Sequence, residues 1–474
     1  MAHFARSRSA LCAGVVIVLL AGCSAGPNTA GGDSVPGSVV PDTTDASDTT
    51  DGSTSTEPTT TIAGDRGWLG GEPEWSSRSD AEGGPEMAAS DDAGYDSAAP
   101  AETTAAKSTA SGGTESQRTE LRAGSVDDNA GFVAFLEYLA RIDGLGIATR
   151  DFDPTGRIVV AVTNAGGTSV AGIAVSVSAA GQAVATIRTT ADGTARFLPA
   201  LYGAADTASF DFAVGGVTAT GQPNGTVSLI VDSAVDEGPV ALDVMFLLDA
   251  TGSMGDEIDR LKTTIDSVAA RVAAFEVQPD VRFAMTLYRD EGDVFVTSTF
   301  DFTSDVLAFR EALQDVVADG GGDYPEAVEE GLAEALTAPS WRDPADTLQL
   351  VFLVGDAPPR LDRQVPTPYP AAVIDAVARG IKVFPIASSE SDDQAEAVFR
   401  ELAMATGARF VFLSYGAAGT ATGESSDIES TDYEELALDD LVVRLIAEEV
   451  ADLTGADPGV PDVTVPPQTN PEGQ

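Results

Sequence analysis

Oxygen-bearing side chains follow two apolar runs of the sequence at the points where those runs end. Asp249, Thr251 and Ser253 come directly after the run VMFLL, and Asp356 comes directly after the run LVFLVG. A carboxylate beside a buried strand is poorly solvated unless a positive charge lies on it. Carboxylate and hydroxyl oxygens are hard ligands of the kind that Mg²⁺ and Ca²⁺ take in proteins. These four residues are therefore predicted to bind a divalent cation.

The composition restricts both the metal and the chemistry. The 474 residues include 75 acidic and 26 basic ones, which gives a formal net charge of −49. The one His and the two Cys are His3, Cys12 and Cys23. The rest of the chain cannot build a Ser-His-Asp or Cys-His triad or a zinc site of imidazole and thiolate ligands. A cation would find only oxygen ligands, which indicates Mg²⁺ or Ca²⁺, with Mn²⁺ also compatible. The negative charge disfavours nucleic acid as a partner.

The first 22 residues have the pattern of a lipoprotein signal peptide. Arg6 and Arg8 precede an apolar stretch over residues 10–20, which is too short for a stable membrane-spanning helix. The tetrapeptide Leu-Ala-Gly-Cys that ends at Cys23 resembles a bacterial lipobox. The resemblance implies cleavage before Cys23, acyl chains such as palmitate on it, and anchoring at the extracytoplasmic face of the cell membrane. An ordinary signal peptide with an incidental Cys is the alternative.

Three further segments lack the pattern of a separate domain. Residues 23–118 are rich in Thr, Ser, Asp and Gly, as in DTTDASDTTDGSTSTEPTTT, and are predicted to be a disordered linker. Residues 119–150 carry an apolar helical stripe and are predicted to be a helical lead-in to the next domain. Residues 453–474 are Pro-rich and acidic and are predicted to be a disordered tail.

Residues 151–235 show short alternating apolar runs separated by polar turns, which predicts a small all-β sandwich. The stretch VAVTNAGGTSVAGIAVSVSAAGQAVATIRTTADGTARF resembles carboxypeptidase-regulatory-like domains. That resemblance implies a spacer or a binding module.

Residues 240–452 alternate apolar runs with amphipathic stretches, which predicts an α/β fold. Near-continuous apolar strands are typical of a parallel sheet covered on both faces, and six strands are predicted in a doubly wound arrangement. Ligands of such folds bind beyond the carboxyl ends of the strands. Asp249 and Asp356 are predicted to lie at that edge.

The same segment resembles von Willebrand factor A domains over about 210 residues. Asp249-Ala-Thr-Gly-Ser253 is similar to the Asp-x-Ser/Thr-x-Ser signature of the family. Further similar stretches, in the order of the family, are LYRDEGDVFVTSTFDFTSDVLAFREAL, GGGDYPEAVEEGL, LVFLVGDAPPR, GIKVFPIA and ELAMATGARFVFLSY.

This resemblance implies a metal-ion-dependent adhesion site (MIDAS). Hydroxyls at Thr251 and Ser253 would coordinate the cation directly. Carboxylates at Asp249 and Asp356 would coordinate it or hold its water, and one position would stay open for an acidic side chain of a partner. Many A domains add a Thr in the loop before the next large helix, where this chain has Asp323 instead. Asp323 as a ligand would favour Ca²⁺ or tighter binding and would weaken the attraction of an acidic partner.

Two alternatives stand beside this interpretation. Ser253 is also a plausible N-cap of the following helix. At the level of function, the leading hypothesis is a lipid-anchored binding protein of the cell surface that engages a protein or cell-wall ligand through the cation. The alternative is a structural or assembly protein of the cell envelope that uses a metal-independent surface of the A domain. An enzyme is not expected, because nothing in the sequence specifies a substrate pocket.

Overall fold

The computed structural model describes residues 121–233, 238–322, 324–388, 391–414 and 436–460. The predicted signal peptide, Cys23 and the predicted linker lie outside the described residues, as does Asp323. In the ranges that are described, no helix has the length and apolar character needed to cross a membrane.

The described chain alternates strands and helices after an all-β segment. The strands are β1 (Arg122–Val126), β2 (Ile158–Asn164), β3 (Ala174–Ala179), β4 (Gln182–Arg188), β5 (Thr194–Phe197), β6 (Phe210–Val214), β7 (Val217–Gly221), β8 (Thr226–Val231), β9 (Ala241–Asp249), β10 (Asp280–Tyr288), β11 (Thr297–Thr303), β12 (Thr347–Gly355), β13 (Lys382–Ala387), β14 (Phe410–Ser414) and β15 (Leu436–Ala437). The helices are α1 (Phe132–Leu145), α2 (Gly255–Val272), α3 (Val306–Gln314), α4 (Val328–Thr337), α5 (Tyr369–Arg379), α6 (Asp393–Thr406) and α7 (Leu438–Thr454).

One large, mostly parallel sheet organises the C-terminal part of the chain. Its strand order is β11-β10-β9-β12-β13-β14-β1-β15. The five strands from β10 to β14 in this order are parallel, and the strands at both ends are antiparallel to their neighbours. Every side chain of Val244–Leu248 is buried, because helices cover both faces of the sheet. The mixed α/β class predicted from the apolar runs is confirmed.

The predicted number of six strands is wrong, since the sheet has eight. The additional strands are β1 and β15. β1 lies in the segment 119–150 that was predicted to be a helical lead-in, and only α1 of that segment is a long helix. The sequence RAGSV is short and has small side chains, so it carries neither a helical nor a strand period. Its conformation comes from pairing with β14, in which Arg122 faces Ser414.

Residues 158–231 form two small sheets. One has the order β5-β2-β8 and contains a parallel pair, β2 and β8, and the other is antiparallel with the order β4-β3-β6-β7. Their apolar side chains share one core with α1 and with the adjacent face of the large sheet. Residues 121–233 are therefore packed directly on the α/β domain.

The predicted tail at 453–474 begins too early. Helix α7 continues through Thr454 and ends at Gly455 in a left-handed conformation. Beyond it, the carbonyls of Pro458 and Gly459 accept hydrogen bonds from the backbone after α2. Leu453 packs against the apolar core that α2 and α7 form with the large sheet. This contact explains why the chain stays attached to the domain past the predicted boundary.

A buried ion pair joins β13 to α7. The Nζ atom of Lys382 lies 2.5 Å from Oε1 of Glu449, and both side chains are at most 9 % exposed. Burial raises the pKa of Glu449, and the charge of Lys382 opposes that shift. The pair is therefore a place where the removal of one partner leaves an uncompensated buried charge.

Lys382→Met is expected to lower the free energy of unfolding by about 3 kcal/mol, because Glu449 loses its counter-charge. The double variant Lys382→Met/Glu449→Leu is the matched control, and it should recover most of the loss. Urea denaturation followed by circular dichroism measures both. A double variant as unstable as the single one would contradict this account.

A second prediction concerns Glu401 on α6, which accepts a 2.5 Å hydrogen bond from the hydroxyl of Tyr369. Burial raises the pKa of Glu401 to about 8. As the pH rises from about 5 to about 8, the unfolded chain has lost this proton while the native state still holds it, so stability falls. Glu401→Gln should therefore flatten the decline by about 2 to 4 kcal/mol over that window. Unfolding free energies measured across the same window test this; equal slopes for both proteins would refute it.

Candidate metal centre

Asp249 is fully buried where β9 ends. Its Oδ1 atom accepts two hydrogen bonds from Thr251, at 2.9 Å from the backbone N–H and at 2.6 Å from the hydroxyl. Its other oxygen, Oδ2, is buried and accepts nothing from Thr251, and the hydroxyl of Tyr288 beside it is the nearby donor, which lowers the pKa of Asp249. A buried carboxylate is costly unless a cation or a proton meets it.

Asp356 reaches the same place from the neighbouring strand. β12 pairs in parallel with β9 so that Val354 faces Leu248, and Asp356 follows directly after the end of β12. Burial, together with the negative charge of Asp356, raises the pKa of Asp249 to about 7. The structure therefore brings these two predicted site residues together.

Thr251 and Ser253 present their hydroxyl oxygens side by side. The Oγ1 atom of Thr251 lies 3.1 Å from the Oγ atom of Ser253. Two neighbouring ligands of an octahedral Mg²⁺ lie about 3.0 Å apart when each is about 2.1 Å from the ion. Thr251 is buried, whereas Ser253 is exposed. Neither the short turn at Gly252–Met254 nor α2 has a side-chain cap hydrogen bond, so the capping alternative for Ser253 is not observed.

Glu326 is a further carboxylate of the site that the sequence interpretation missed. Its side chain is 4 % exposed, and its Oε2 atom is buried without a hydrogen bond. Burial and the charge of Asp249 raise the pKa of Glu326 to about 8. The available signal was the stretch GGGDYPEA, in which Asp323 seemed the obvious acid. Asp323 lies outside the described residues, so its role stays a prediction.

A glycine allows Glu326 to lie close to the turn that carries Thr251 and Ser253. Gly321 has a φ of +70°, a conformation that residues with a Cβ rarely adopt. A Cβ atom there would lie 2.9 Å from Oε1 of Glu326 and 3.1 Å from Cβ of Thr251. Because Gly321 has no side chain, only its backbone lies between Glu326 and Thr251.

Arginines fix the loops around these residues. Arg289 donates to the carbonyls of Ala250, at 3.0 Å, and Val317, at 2.8 Å. The Nε and Nη2 atoms of Arg360 donate to the carboxylate oxygens of Asp290 at distances of 2.5 to 2.9 Å. Burial alone would raise the pKa of Asp290, but the hydrogen bonds from Arg360 hold it below its ordinary value. These hydrogen bonds attach the loops of the site to one another.

The donor set fits a hard divalent cation. It offers the buried carboxylate of Asp249, the two adjacent hydroxyls and the nearby carboxylates of Asp356 and Glu326. Among the residues that the structure describes, no three Asp, Glu, His or Cys side chains converge closely enough to form a metal site by themselves. A cation here would therefore depend on the hydroxyls of Thr251 and Ser253 and on water for part of its coordination.

A family model described as von Willebrand factor A domain matches residues 243–414. The alpha-protein kinase vwkA of Dictyostelium discoideum is 29 % identical over 119 residues, which cover 25 % of this chain and 18 % of that protein. The chain thus spans less than a fifth of the length of that relative.

Two solved structures are similar to parts of the chain. Proximal thread matrix protein 1 from the mussel byssus, in a form with a zinc-occupied MIDAS motif, covers 37 % of this chain and 47 % of its own at 15 % identity and a TM-score of 0.29. The pilus adhesin SpaC from Lactobacillus rhamnosus GG covers 42 % of this chain and 30 % of its own at 12 % identity and a TM-score of 0.27. These TM-scores are too low to support an inference about function. The sequence match and the mostly parallel sheet together identify residues 243–414 as a von Willebrand factor A domain.

Proposed function

We propose that this chain is a binding protein whose A domain engages a protein or cell-wall ligand through a divalent cation. The observation that carries the proposal is the fully buried carboxylate of Asp249, which has no ion pair with a Lys or Arg among the described residues, beside the paired hydroxyls of Thr251 and Ser253. Protein binding is the activity most associated with domains of this family. The proposal adds that binding by this domain depends on a divalent cation.

The residues that would hold the cation are Asp249, Thr251, Ser253 and Asp356, with Glu326 beside them. A divalent cation supplies two positive charges, whereas the three carboxylates supply three negative ones. The ion is therefore more than neutralised by the protein, and its pull on a carboxylate of a partner is weak. Mg²⁺, Ca²⁺ and Mn²⁺ all suit the oxygen ligands. Recognition must then depend strongly on the loops around the ion.

The proposed location is the outer face of the cell membrane, with a lipid on Cys23 as the anchor. The support for this is the basic start, the apolar stretch and the Leu-Ala-Gly-Cys sequence before residue 24. The linker that follows would hold the A domain away from the membrane.

A structural role without a cation is the second candidate, and one observation favours it. Arg289 and Arg360 already fix the loops of the site through protein hydrogen bonds. A surface fixed in this way can bind a partner whether or not an ion is present. The match to the Dictyostelium kinase covers 18 % of that protein, and no kinase activity is proposed here.

Cation binding is tested by calorimetric titration of the full chain with Mg²⁺, Ca²⁺, Mn²⁺ and Zn²⁺. Asp249→Asn is expected to weaken binding by at least about tenfold, because it removes the buried charge at the centre of the donor set. Asp259→Asn is the matched control, since it removes the same charge from a side chain of α2 that is 86 % exposed. Equal affinities for both variants would reject Asp249 as a ligand.

Ligand binding is tested by capture from cell-envelope extracts on the immobilised full chain. Captured material should be released by EDTA and restored by Mg²⁺ or Ca²⁺, and Asp249→Asn should capture little. Capture that is indifferent to EDTA and to Asp249→Asn would favour the assembly role and overturn the cation-dependent one.

A further inference from the structure

Arg150 lies far from the metal centre in the sequence but is bound to its loops. It belongs to the connector between α1 and β2, and its side chain is 16 % exposed. The guanidinium group binds Glu329 with both arms, at 3.0 Å from Nε to Oε1 and at 2.6 Å from Nη2 to Oε2. Glu329 is 1 % exposed and lies in the first turn of α4, three residues after Glu326.

The same guanidinium group binds the loop that follows Asp356. Its remaining donors reach three backbone carbonyls, those of Arg360 at 3.3 Å, Leu361 at 3.3 Å and Arg363 at 3.0 Å. Such a fork has a fixed planar geometry, so it holds its acceptors at set separations. Arg150 therefore bridges the start of α4 and the loop over 360–363.

These two segments also meet at the metal centre. The backbone N–H of Glu326 donates to the carbonyl of Pro358 at 3.0 Å, and the N–H of Arg360 donates to the carbonyl of Glu326 at 3.1 Å. One of the two segments in this backbone contact contains Glu326. The other contains Pro358 and Arg360, which follow Asp356 by two and four residues. Arg150 therefore links the same two segments a second time, through the side chain of Glu329 and the carbonyls of Arg360, Leu361 and Arg363.

The connector around Arg150 is itself held on the domain. The backbone N–H of Arg150 donates to the hydroxyl of Tyr369 at 3.1 Å, and the same hydroxyl donates to Glu401. The carbonyl of Ala148 accepts a hydrogen bond from Gln394 at 2.6 Å. Because β2 follows a few residues later, the position of the small sheets is linked to the position of Arg150.

We propose that Arg150 is a positioning residue that sets the approach of Asp356 and Glu326, and that it thereby couples the connector to the cation affinity of the A domain. The inference rests on the proposed cation site. By thermodynamic linkage, detachment of the connector from the A domain lowers the cation affinity, and a bound cation stabilises the attached position of the connector.

The test is calorimetric titration of the full chain with Mg²⁺ and Ca²⁺. Arg150→Ala should weaken cation binding by about tenfold. Arg150→Lys should restore little of it, because an ammonium group keeps the charge but not the fork. Glu329→Gln should weaken binding in the same direction, and the Arg150→Ala/Glu329→Gln double variant should lose less than the sum of the two.

Arg379→Ala is the matched control. Arg379 also binds a carbonyl and a carboxylate, those of Leu336 and Asp375, but it touches no loop of the metal centre. Melting temperatures in EDTA report the general loss of stability, and Arg379→Ala should lower the melting temperature while leaving cation affinity unchanged. Hydrogen exchange in EDTA should show faster exchange at 360–363 in Arg150→Ala and not in Arg379→Ala.

The outcomes separate the two proposals. A wild-type chain that binds no cation overturns the proposed function and this inference with it. A wild-type chain that binds the cation, with Arg150→Ala and Glu329→Gln binding equally well, overturns the inference alone. If Arg150→Ala does not fold, Glu329→Gln, which keeps the shape of the side chain, decides between the same outcomes.

Discussion

Repulsion among buried carboxylates is the constraint on which the A domain is built. Asp249, Asp356 and Glu326 are all at most 4 % exposed and are brought together at one edge of the sheet. Burial raises the pKa of Asp249 to about 7 and that of Glu326 to about 8, and the repulsion between the carboxylates adds to both shifts. Protons or a cation must compensate it, and a divalent ion does so while using the hydroxyls of Thr251 and Ser253.

The protein neutralises its acids selectively. Asp290 is matched by Arg360, and Glu329 is matched by Arg150. Among the residues that the structure describes, no arginine hydrogen bond is directed at the side chains of Asp249 or Glu326. Geometry is thus fixed by arginines outside the centre, while the inner carboxylates keep oxygens available.

Much of this arrangement could be predicted from the sequence, and the remainder depends on contacts that leave no local pattern. Asp249, Thr251, Ser253 and Asp356 follow long apolar strands, so their edge of the sheet was predictable. The place of Glu326 in the metal centre was not predictable. It depends on the left-handed backbone of Gly321 and on the hydrogen bonds of the backbone of Glu326 with Pro358 and Arg360. β1 was missed because RAGSV has no period of its own and acquires its conformation from β14. Arg150 gave no signal, since its acceptors, the carboxylate of Glu329 and three backbone carbonyls, lie 179 to 213 residues away.

The pairing of β1 with β14 determines how the domain would carry mechanical load. The described part of the chain starts in the large sheet at β1, leaves it to form the two small sheets, and returns at β9, so the small sheets are a side branch and not a spacer in series. Since Arg122 faces Ser414, the chain before β1 departs from the same edge that bears Asp249 and Asp356. Tension between that departing chain and a bound ligand would pass through the hydrogen bonds of β1 and the large sheet. The small sheets would remain unloaded and would keep their fold under that tension.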